Sequence, residues 1–302
     1  MSRPFDALYA LAIRSGRMLE VDVTTGATST FVEKIGRAPD GIAVADRVYW
    51  TTMGAPAIVD EELFAAGHRE RALDYTSRNG GVHALSHDGA DRADVVPAGG
   101  ITTGKQLVHH DGWLYWGDRE GRKVSRVRTD GTGLGDLVVN DGSGGDADWC
   151  VGVAVDSDHL YWTQKGPAKG GHGRIFRTRV SEAPDGEPEL LWQDLPEPID
   201  LEVHDGHLYW TDRGAGPTGN TLNRAPLPAP GAVGATPEIL HDGFAEAIGL
   251  AVDGAAGVVY VSDLSGAIRV VPLPGSGQEA RVLVQLDEPV TGIAGVRKET
   301  SV

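Results

Sequence analysis

Ionisable residues recur at one position of a repeated sequence unit, and they are the first candidates for chemistry. The unit begins with a short apolar run such as PDGIAVA (39–45), and Asp40, Lys105, Asp200 and Glu246 lie at or just before the start of such runs. Carboxylates and an amine that converge in a partly dry cleft can transfer protons. We therefore predict these four as catalytic residues; a solvated channel with structural salt links is the alternative.

Histidine is the other acid–base candidate. Four of the ten histidines belong to a repeated His-Asp-Gly, in which the Asp-Gly pair is typical of turns. His172 differs, because glycines flank it in KGGHGR and because its pKa range suits proton transfer. We predict that His172 is catalytic, with a metal ligand or a surface residue as the alternatives. His68 is a weaker candidate for ligand binding.

Other residues near these positions suit ligand binding. Trp149 offers a flat apolar wall, although packing in the core would explain it equally well. The neighbouring Cys150 is interpreted as a small buried hydrophobe. Gln106 and Thr291 occupy equivalent starts of apolar runs, and Arg213 lies in the segment DRGAGPTGN. The predicted ligand-binding residues are Trp149, Gln106, His68, Arg213 and Thr291.

A repeated aromatic segment indicates the elements that position these residues. Its copies are LYALA (8–12), VYWTT (48–52), LYWGD (114–118), LYWTQ (160–164), LYWTD (208–212) and VYVSD (259–263). Their tyrosines are 40, 66, 46, 48 and 51 residues apart. A period of roughly 40–50 residues is typical of propellers and solenoids. Six units account for the chain.

Each unit contains four short runs with strand character, rich in Val, Ile, Tyr and Trp and bounded by Gly, Asp or Pro. Four strands form a blade, and six blades form a propeller. EPVTGIAGV (288–296) matches the first strand of a unit, whereas the chain begins at the second strand, ALYALAI (7–13). We therefore predict an all-β, six-bladed β-propeller of four-stranded antiparallel blades, a single domain over 1–302. Its C-terminal strand completes blade one and leaves no long unpaired edge.

The repeated segments, preceded by runs such as GIAVA (41–45), resemble the YWTD six-bladed β-propellers of low-density-lipoprotein receptors. The resemblance covers nearly the whole chain. It implies that the aromatics pack between blades and that the acid ties neighbouring blades together. Thr52 and Gln164 replace the acid and Val261 replaces the tryptophan without breaking the period. The motif is therefore predicted to be scaffold, and the fold alone does not specify an activity.

A second, weaker resemblance concerns a metal. PDG (39–41) is similar to a short motif of gluconolactonase- and strictosidine-synthase-like propellers, although the other repeats lack a Ser-Asn-Gly or Asn-Asp-Gly run. That resemblance implies a divalent ion at the channel mouth. Ca²⁺, Mg²⁺, Mn²⁺ or Zn²⁺ is therefore a hypothesis, because Asp40, Asp200 and Glu246 would give a hard cation oxygen ligands.

Loops between second and third strands, and those between blades, emerge on one face of a propeller, where binding groups concentrate. The longest such loop is residues 53–79 in blade two. Asp60 can cap a helix there, and Glu61 and Glu62 suit its first turn. We predict a lid over the channel mouth; a decorative or dimer-forming excursion is the alternative.

The composition indicates which cellular compartment and which partners to expect. One cysteine excludes a disulfide framework, MSRPFDALYA has no apolar signal region, and no run approaches membrane-spanning length. We expect a cytoplasmic protein without a membrane partner. The net charge of −16 argues against nucleic acid. The oligomeric state stays open.

Two functions from different classes remain. We expect a stand-alone enzyme that acts on a small organic molecule at the channel mouth. It would be a hydrolase of lactone or ester bonds, or a lyase, cyclase or isomerase that uses acid–base chemistry. The alternative is a non-catalytic propeller that binds a protein or a ligand. The lid-like insertion and the cysteine-poor chain favour the enzyme.

Overall fold

Six four-stranded antiparallel sheets form the protein, which is described here from a computed structural model covering residues 3–67 and 69–298. In five blades the strand order from the channel outward follows the chain. In blade one, Val290–Val296 pairs antiparallel with Ala7–Ala12 and is the innermost strand. The predicted six-bladed propeller and its closure by the C-terminal strand are confirmed.

The strands are numbered here from the channel outward within each blade, from blade one to blade six. The first strands are Val290–Val296, Pro39–Val44, Gly104–His110, Cys150–Val155, Pro198–His204 and Ala247–Asp253. The second strands are Ala7–Ala12, Val48–Thr52, Trp113–Asp118, His159–Gln164, His207–Asp212 and Val258–Asp263. The third strands are Arg17–Asp22, Gly80–Leu85, Lys123–Arg128, Gly173–Arg179, Thr221–Pro226 and Ala267–Pro272. The fourth strands are Thr28–Val32, Arg92–Ile101, Gly135–Val139, Glu189–Leu195, Glu238–His241 and Arg281–Gln285.

The aromatic residues of the repeat pack between blades. The tyrosine of one blade shares a buried cluster with the residue at the tryptophan position of the next blade. The pairs are Tyr9 with Trp50, Tyr49 with Trp116, Tyr115 with Trp162, Tyr161 with Trp210, Tyr209 with Val261, and Tyr260 with Ala10. This apolar contact repeats around the whole ring, because large aromatic side chains fill the wedge between two twisted sheets.

The threonine of the motif joins neighbouring blades by a hydroxyl bridge. Thr211 Oγ1 accepts a hydrogen bond from the Asp200 backbone N–H at 3.1 Å and donates one to the Ile248 carbonyl of the next blade at 2.5 Å. Thr51, Thr163 and Ser262 make the same two bonds in their blades. Blade three has glycine at this position, and a Cβ on Gly117 would lie 2.5 Å from the Val151 carbonyl oxygen.

The acid of the motif fastens the connection that arrives from the preceding blade. Asp118 accepts hydrogen bonds from the backbone N–H groups of Thr102 and Thr103, at 2.9 and 2.7 Å. Asp212 does the same for Glu197, and Asp263 for Ala245. The motif therefore fixes the strands and connections that surround the channel mouth.

The blade-two loop carries the helical structure predicted for it. A ribbon of Ala57–Ile58 and Leu73–Asp74 encloses the helices Glu61–Ala65 and Arg69–Ala72. Asp60 caps the first helix, since its Oδ1 accepts the Leu63 N–H at 2.9 Å. The only other helix in the described parts of the chain is a 3₁₀ turn, Gly145–Asp148. None of the helices in residues 3–67 and 69–298 is long and apolar enough to cross a membrane.

Candidate functional site at the channel mouth

A cavity of about 690 Å³ opens at the end of the channel where the first strands begin. Its walls come from the loops that follow second strands, from the starts of first strands, and from the blade-two insertion. The insertion contributes residues 53–56 together with Ile58, Phe64, Leu73 and Tyr75. Pockets of 300–1,000 Å³ typically hold small organic molecules. The insertion thus lines the cavity at the channel mouth. That it acts as a lid stays a prediction.

Asp40, Lys105 and Gln106 form a buried polar cluster, of which Asp40 and Lys105 line the cavity. Lys105 Nζ lies 2.5 Å from Asp40 Oδ2, and Gln106 Nε2 donates to Asp40 Oδ1 at 3.0 Å. Asp40 is 1% exposed and Lys105 8% exposed. Burial lowers the pKa of the Lys105 amine, and the attraction of Asp40 opposes this only in part. The cluster therefore places a buried amine with a lowered pKa beside a buried carboxylate.

Asp200 lies near this cluster but faces the backbone. Its Oδ1 accepts the Leu201 N–H at 2.9 Å and its Oδ2 accepts the Leu250 N–H at 3.0 Å. Burial raises the pKa of its carboxyl well above the usual range. Both oxygens are therefore engaged with the backbone, and Oδ2 joins the first strand of blade five to that of blade six.

Glu246 is paired with cations from the loops of blades four and five. Its carboxylate lies 3.1 Å from Lys169 Nζ and 3.6 Å from Arg213 Nη1. Glu246 has a φ of 63°, which turns the chain just before the first strand of blade six. This turn directs the side chain toward the loops of blades four and five.

The three candidate metal ligands are not assembled into one site. Asp40 is paired with Lys105, Asp200 with backbone N–H groups, and Glu246 with Lys169 and Arg213. Across residues 3–67 and 69–298 there is no group of three or more His, Cys, Asp or Glu residues that could hold a metal ion. The described residues therefore do not fit the divalent ion suggested by the weaker resemblance.

His172 lies away from the cavity that contains Asp40. It lines a second pocket of about 440 Å³, together with Asp148, Arg174 and Asp194. The pocket sits between the loop that precedes blade four and the outer part of that blade. His172 and the Asp40–Lys105 pair are therefore not parts of one site. His68, the weaker histidine candidate, lies outside the described residues.

Trp149, Thr291 and Cys150 have structural contacts. The Trp149 ring has Lys165 Nζ 5.1 Å and Arg119 Cζ 5.3 Å from its centroid. Thr291 lines the cavity, and its hydroxyl donates to the Pro39 carbonyl at 2.9 Å. Cys150 is fully buried, and burial raises the pKa of its thiol to about 12, which suits the small hydrophobe predicted for it.

Comparison with known proteins places the fold in a family. No family model matches the sequence. A protein from Pyricularia oryzae named low-density lipoprotein receptor-related protein 1 is 38% identical to this chain, over 97% of this chain and 99% of its own length. The chain belongs to this family of low-density-lipoprotein-receptor-related YWTD propellers. The predicted family is confirmed.

Two further likenesses extend the comparison. The 3-hydroxyacyl-CoA dehydrogenase-like protein LAM1 from Cochliobolus heterostrophus is 34% identical over 93% of this chain, which spans 61% of that protein's length. A chain in the crystal structure of a nidogen/laminin complex superposes with a TM-score of 0.68 at 16% identity, covering 95% of this chain and 97% of that chain. The second likeness concerns the fold alone.

The six residues that directly follow the second strands form a ring at the mouth of this propeller. Each donates its backbone N–H to a carbonyl in the connection that precedes its own blade's first strand. The six are Ile13, Met53, Arg119, Lys165, Arg213 and Leu264. The ring is cationic in blades three to five and apolar in blades six, one and two. Only Arg213 was predicted from the sequence, although alignment of the YWTD segments would have found the others.

Two arginines at the rim were also missed. Arg14 lies in the hairpin after the second strand of blade one, and Arg37 lies in the connection to blade two. Both line the cavity and are exposed. Their loops touch, because the Ile35 N–H donates to the Gly16 carbonyl at 2.9 Å. Residues far apart in a repeat pattern carry no signal for this contact, which only the closed ring creates.

Proposed function

We propose that the channel-mouth cavity binds a small organic molecule and that the Lys105–Asp40 pair transfers protons to and from it. The observation that carries this proposal is a buried lysine–carboxylate pair that opens into a cavity of about 690 Å³. Perturbed ionisable groups in a concave, partly apolar site are the usual composition of an active site.

The local chemistry supports Lys105 as the proton-transferring group. Burial lowers the pKa of its amine, which increases the neutral, proton-accepting fraction near neutral pH. Asp40 orients the amine and stabilises it when it is protonated. Met53 Sδ, 3.3 Å from Lys105 Nζ, is a weak acceptor and adds little to the charged form.

The reaction class that suits this pair is metal-free acid–base chemistry, as in an isomerase, lyase or cyclase. Such a reaction needs a base to remove a proton and an acid to return one, and one lysine can do both in turn. A metal-dependent hydrolase of lactones or esters is less well supported, because the three carboxylates that were candidate ligands face different partners.

The name of the dehydrogenase-like relative is not a basis for proposing hydride transfer by this chain. The one glycine-rich run of the relevant kind, GTGLG (131–135), connects the third strand of blade three, Lys123–Arg128, to the fourth, Gly135–Val139. A dinucleotide site requires such a run between a strand and a helix, where the helix N-terminus meets the pyrophosphate.

Deuterium uptake from D₂O tests the proposal without a known substrate. A panel of small hydroxy acids, lactones and carbonyl compounds is incubated with the protein in D₂O, and mass spectrometry reports exchange or conversion. The double variant Lys105→Met/Asp40→Asn removes both charges together, so that no unpaired buried charge remains. Loss of general acid–base catalysis should lower turnover by about 10²–10⁴-fold.

Lys165→Met is the matched control, because Lys165 is an equally buried, ion-paired lysine that does not line the cavity. It should keep the turnover of the unmodified protein. Full turnover by the double variant would contradict the proposal.

A non-catalytic binding propeller is the second candidate. It is supported by the name of the Pyricularia oryzae relative, a receptor-related protein. The partly covered cavity favours a small ligand over a protein surface. Saturable binding of a panel compound without deuterium exchange or conversion would favour this second function.

A further inference from the structure

The cavity differs in charge from the rest of the protein. The chain carries a net charge of −16. Among the described residues that line the cavity, however, Asp40 is the sole acid, against five cationic residues. These are Arg14, Arg37, Lys105, Arg119 and Arg213. A cationic cleft in an acidic protein concentrates anions at one place and excludes them elsewhere.

Most of these cations already have carboxylate partners. Lys105 pairs with Asp40, Arg119 with Glu120 at 2.6 Å, and Arg213 with Glu197 at 2.8 Å. Arg14 and Arg37 differ, since neither has an ion-pair partner within residues 3–67 and 69–298. Two unpaired guanidinium groups on touching loops are suited to hold one oxyanion, because each presents a planar fork of donors.

The wall formed by the insertion is apolar. Ile58, Phe64 and Leu73 line it, and Ile13 extends the apolar surface from blade one. Arg37 stands in the connection that leads directly into blade two, the blade that carries the insertion. A ligand that binds both features has an anionic group at the rim and an apolar body against the insertion.

We propose that the cavity is specific for an amphipathic organic oxyanion, whose carboxylate or phosphate group binds Arg14 and Arg37 and whose apolar body packs on Ile58, Phe64 and Leu73. This assignment rests on the proposed function, because it names the class of molecule that the same cavity takes. The bound molecule then has one orientation, with the anion at the rim and the apolar body between the insertion and the Lys105–Asp40 pair.

Isothermal titration with four probes of equal chain length tests the charge preference. The probes are octanoate, octyl phosphate, 1-octanol and octylamine, at low ionic strength. An ionic contact with two arginines should make at least one anionic probe bind about tenfold or more tightly than 1-octanol. The stronger of octanoate and octyl phosphate identifies the headgroup. Equal affinity for 1-octanol, tighter binding of octylamine, or no binding by any probe would overturn the inference.

A charge-matched pair of variants locates the anion. Arg14→Gln/Arg37→Gln should weaken the anionic probe about tenfold and leave 1-octanol unchanged, since both side chains are exposed and the fold does not need them. The control double variant Arg281→Gln/Arg128→Gln removes the same number of charges from exposed strand positions outside the cavity, and it should change neither affinity. Equal loss in both variants would show general charge attraction and overturn the assignment to Arg14 and Arg37.

The two proposals fail in different ways. Octanoate bound through Arg14 and Arg37, with no compound of the panel exchanged or converted, would contradict proton transfer by Lys105 but keep the anion site. Turnover of a neutral compound, with no preference among the four probes, would support proton transfer by Lys105 but contradict the anion site.

Discussion

Two buried lysine–carboxylate pairs near the channel mouth have opposite surroundings. Lys165 Nζ lies 2.8 Å from Glu197 Oε1, and Glu197 also accepts Arg213 Nε at 2.8 Å and the Lys169 N–H at 2.9 Å. Glu197 is thus saturated with donors and closed off from the cavity. Lys105 and Asp40 have fewer partners and line the cavity wall.

The difference separates a structural clamp from a candidate reactive pair. A carboxylate with three donors is held in one geometry, because the three contacts together fix the orientation of the group. A lysine that faces a cavity and whose pKa is lowered by burial can change its protonation when a ligand arrives. The same two residue types therefore serve two roles, which their neighbours decide.

Removing each lysine gives the largest expected contrast in stability. Lys105→Met leaves the Asp40 carboxylate with only Gln106 as a side-chain donor, and it should lower the free energy of unfolding by about 3–5 kcal/mol. Lys165→Met leaves Glu197 paired with Arg213, so the loss should be about 1.5–3 kcal/mol. Urea denaturation measures both, and equal losses would remove the basis of the comparison.

The amide partner of Asp40 gives an intermediate effect. Gln106→Leu keeps the approximate size of the side chain but deletes the 3.0 Å hydrogen bond to Asp40 Oδ1. Because a hydrogen bond to a charged group is worth about 1.5–3 kcal/mol, the free energy of unfolding should fall by that amount. Gln106→Glu should be worse, since it puts a second carboxylate beside Asp40. A neutral result for Gln106→Leu would mean that Lys105 alone holds Asp40.

Glu202, a half-buried carboxylate without a lysine partner among the described residues, extends the comparison to the pH dependence of stability. Glu202 Oε2 accepts the Val252 N–H at 2.9 Å, and burial raises the pKa of Glu202 from 4.5 to about 7. The folded protein then binds more protons than the unfolded chain between these values, so its stability should decrease as the pH rises from about 4.5 to about 7.

The contribution of Glu202 should be about 1 kcal/mol, since its side chain keeps some contact with solvent. Glu202→Gln should flatten this part of the pH profile of the free energy of unfolding. An unchanged profile in this variant would show that Glu202 is ionised in the folded protein throughout the range.

The sequence predicted the fold more completely than it predicted the site. The Tyr-Trp-Thr-Asp pattern repeats because most neighbouring blades are joined by the same kinds of contact: Tyr161 packs with Trp210, Thr211 bridges to Ile248, and Asp212 holds Glu197. These contacts are set by positions within the repeat, so the pattern alone determined the number of blades, their strands and the closure of the ring.

The tertiary structure decided which functional candidates meet. Asp40 and Lys105 are 65 residues apart and become neighbours only because blades two and three are adjacent, whereas His172 is carried to a separate pocket. Arg14 and Arg37 join one cavity through contacts between loops that no repeat pattern encodes. The physical reason is that backbone pairing repeats along the chain, while the direction, burial and partners of each side chain depend on neighbours that only the closed ring supplies.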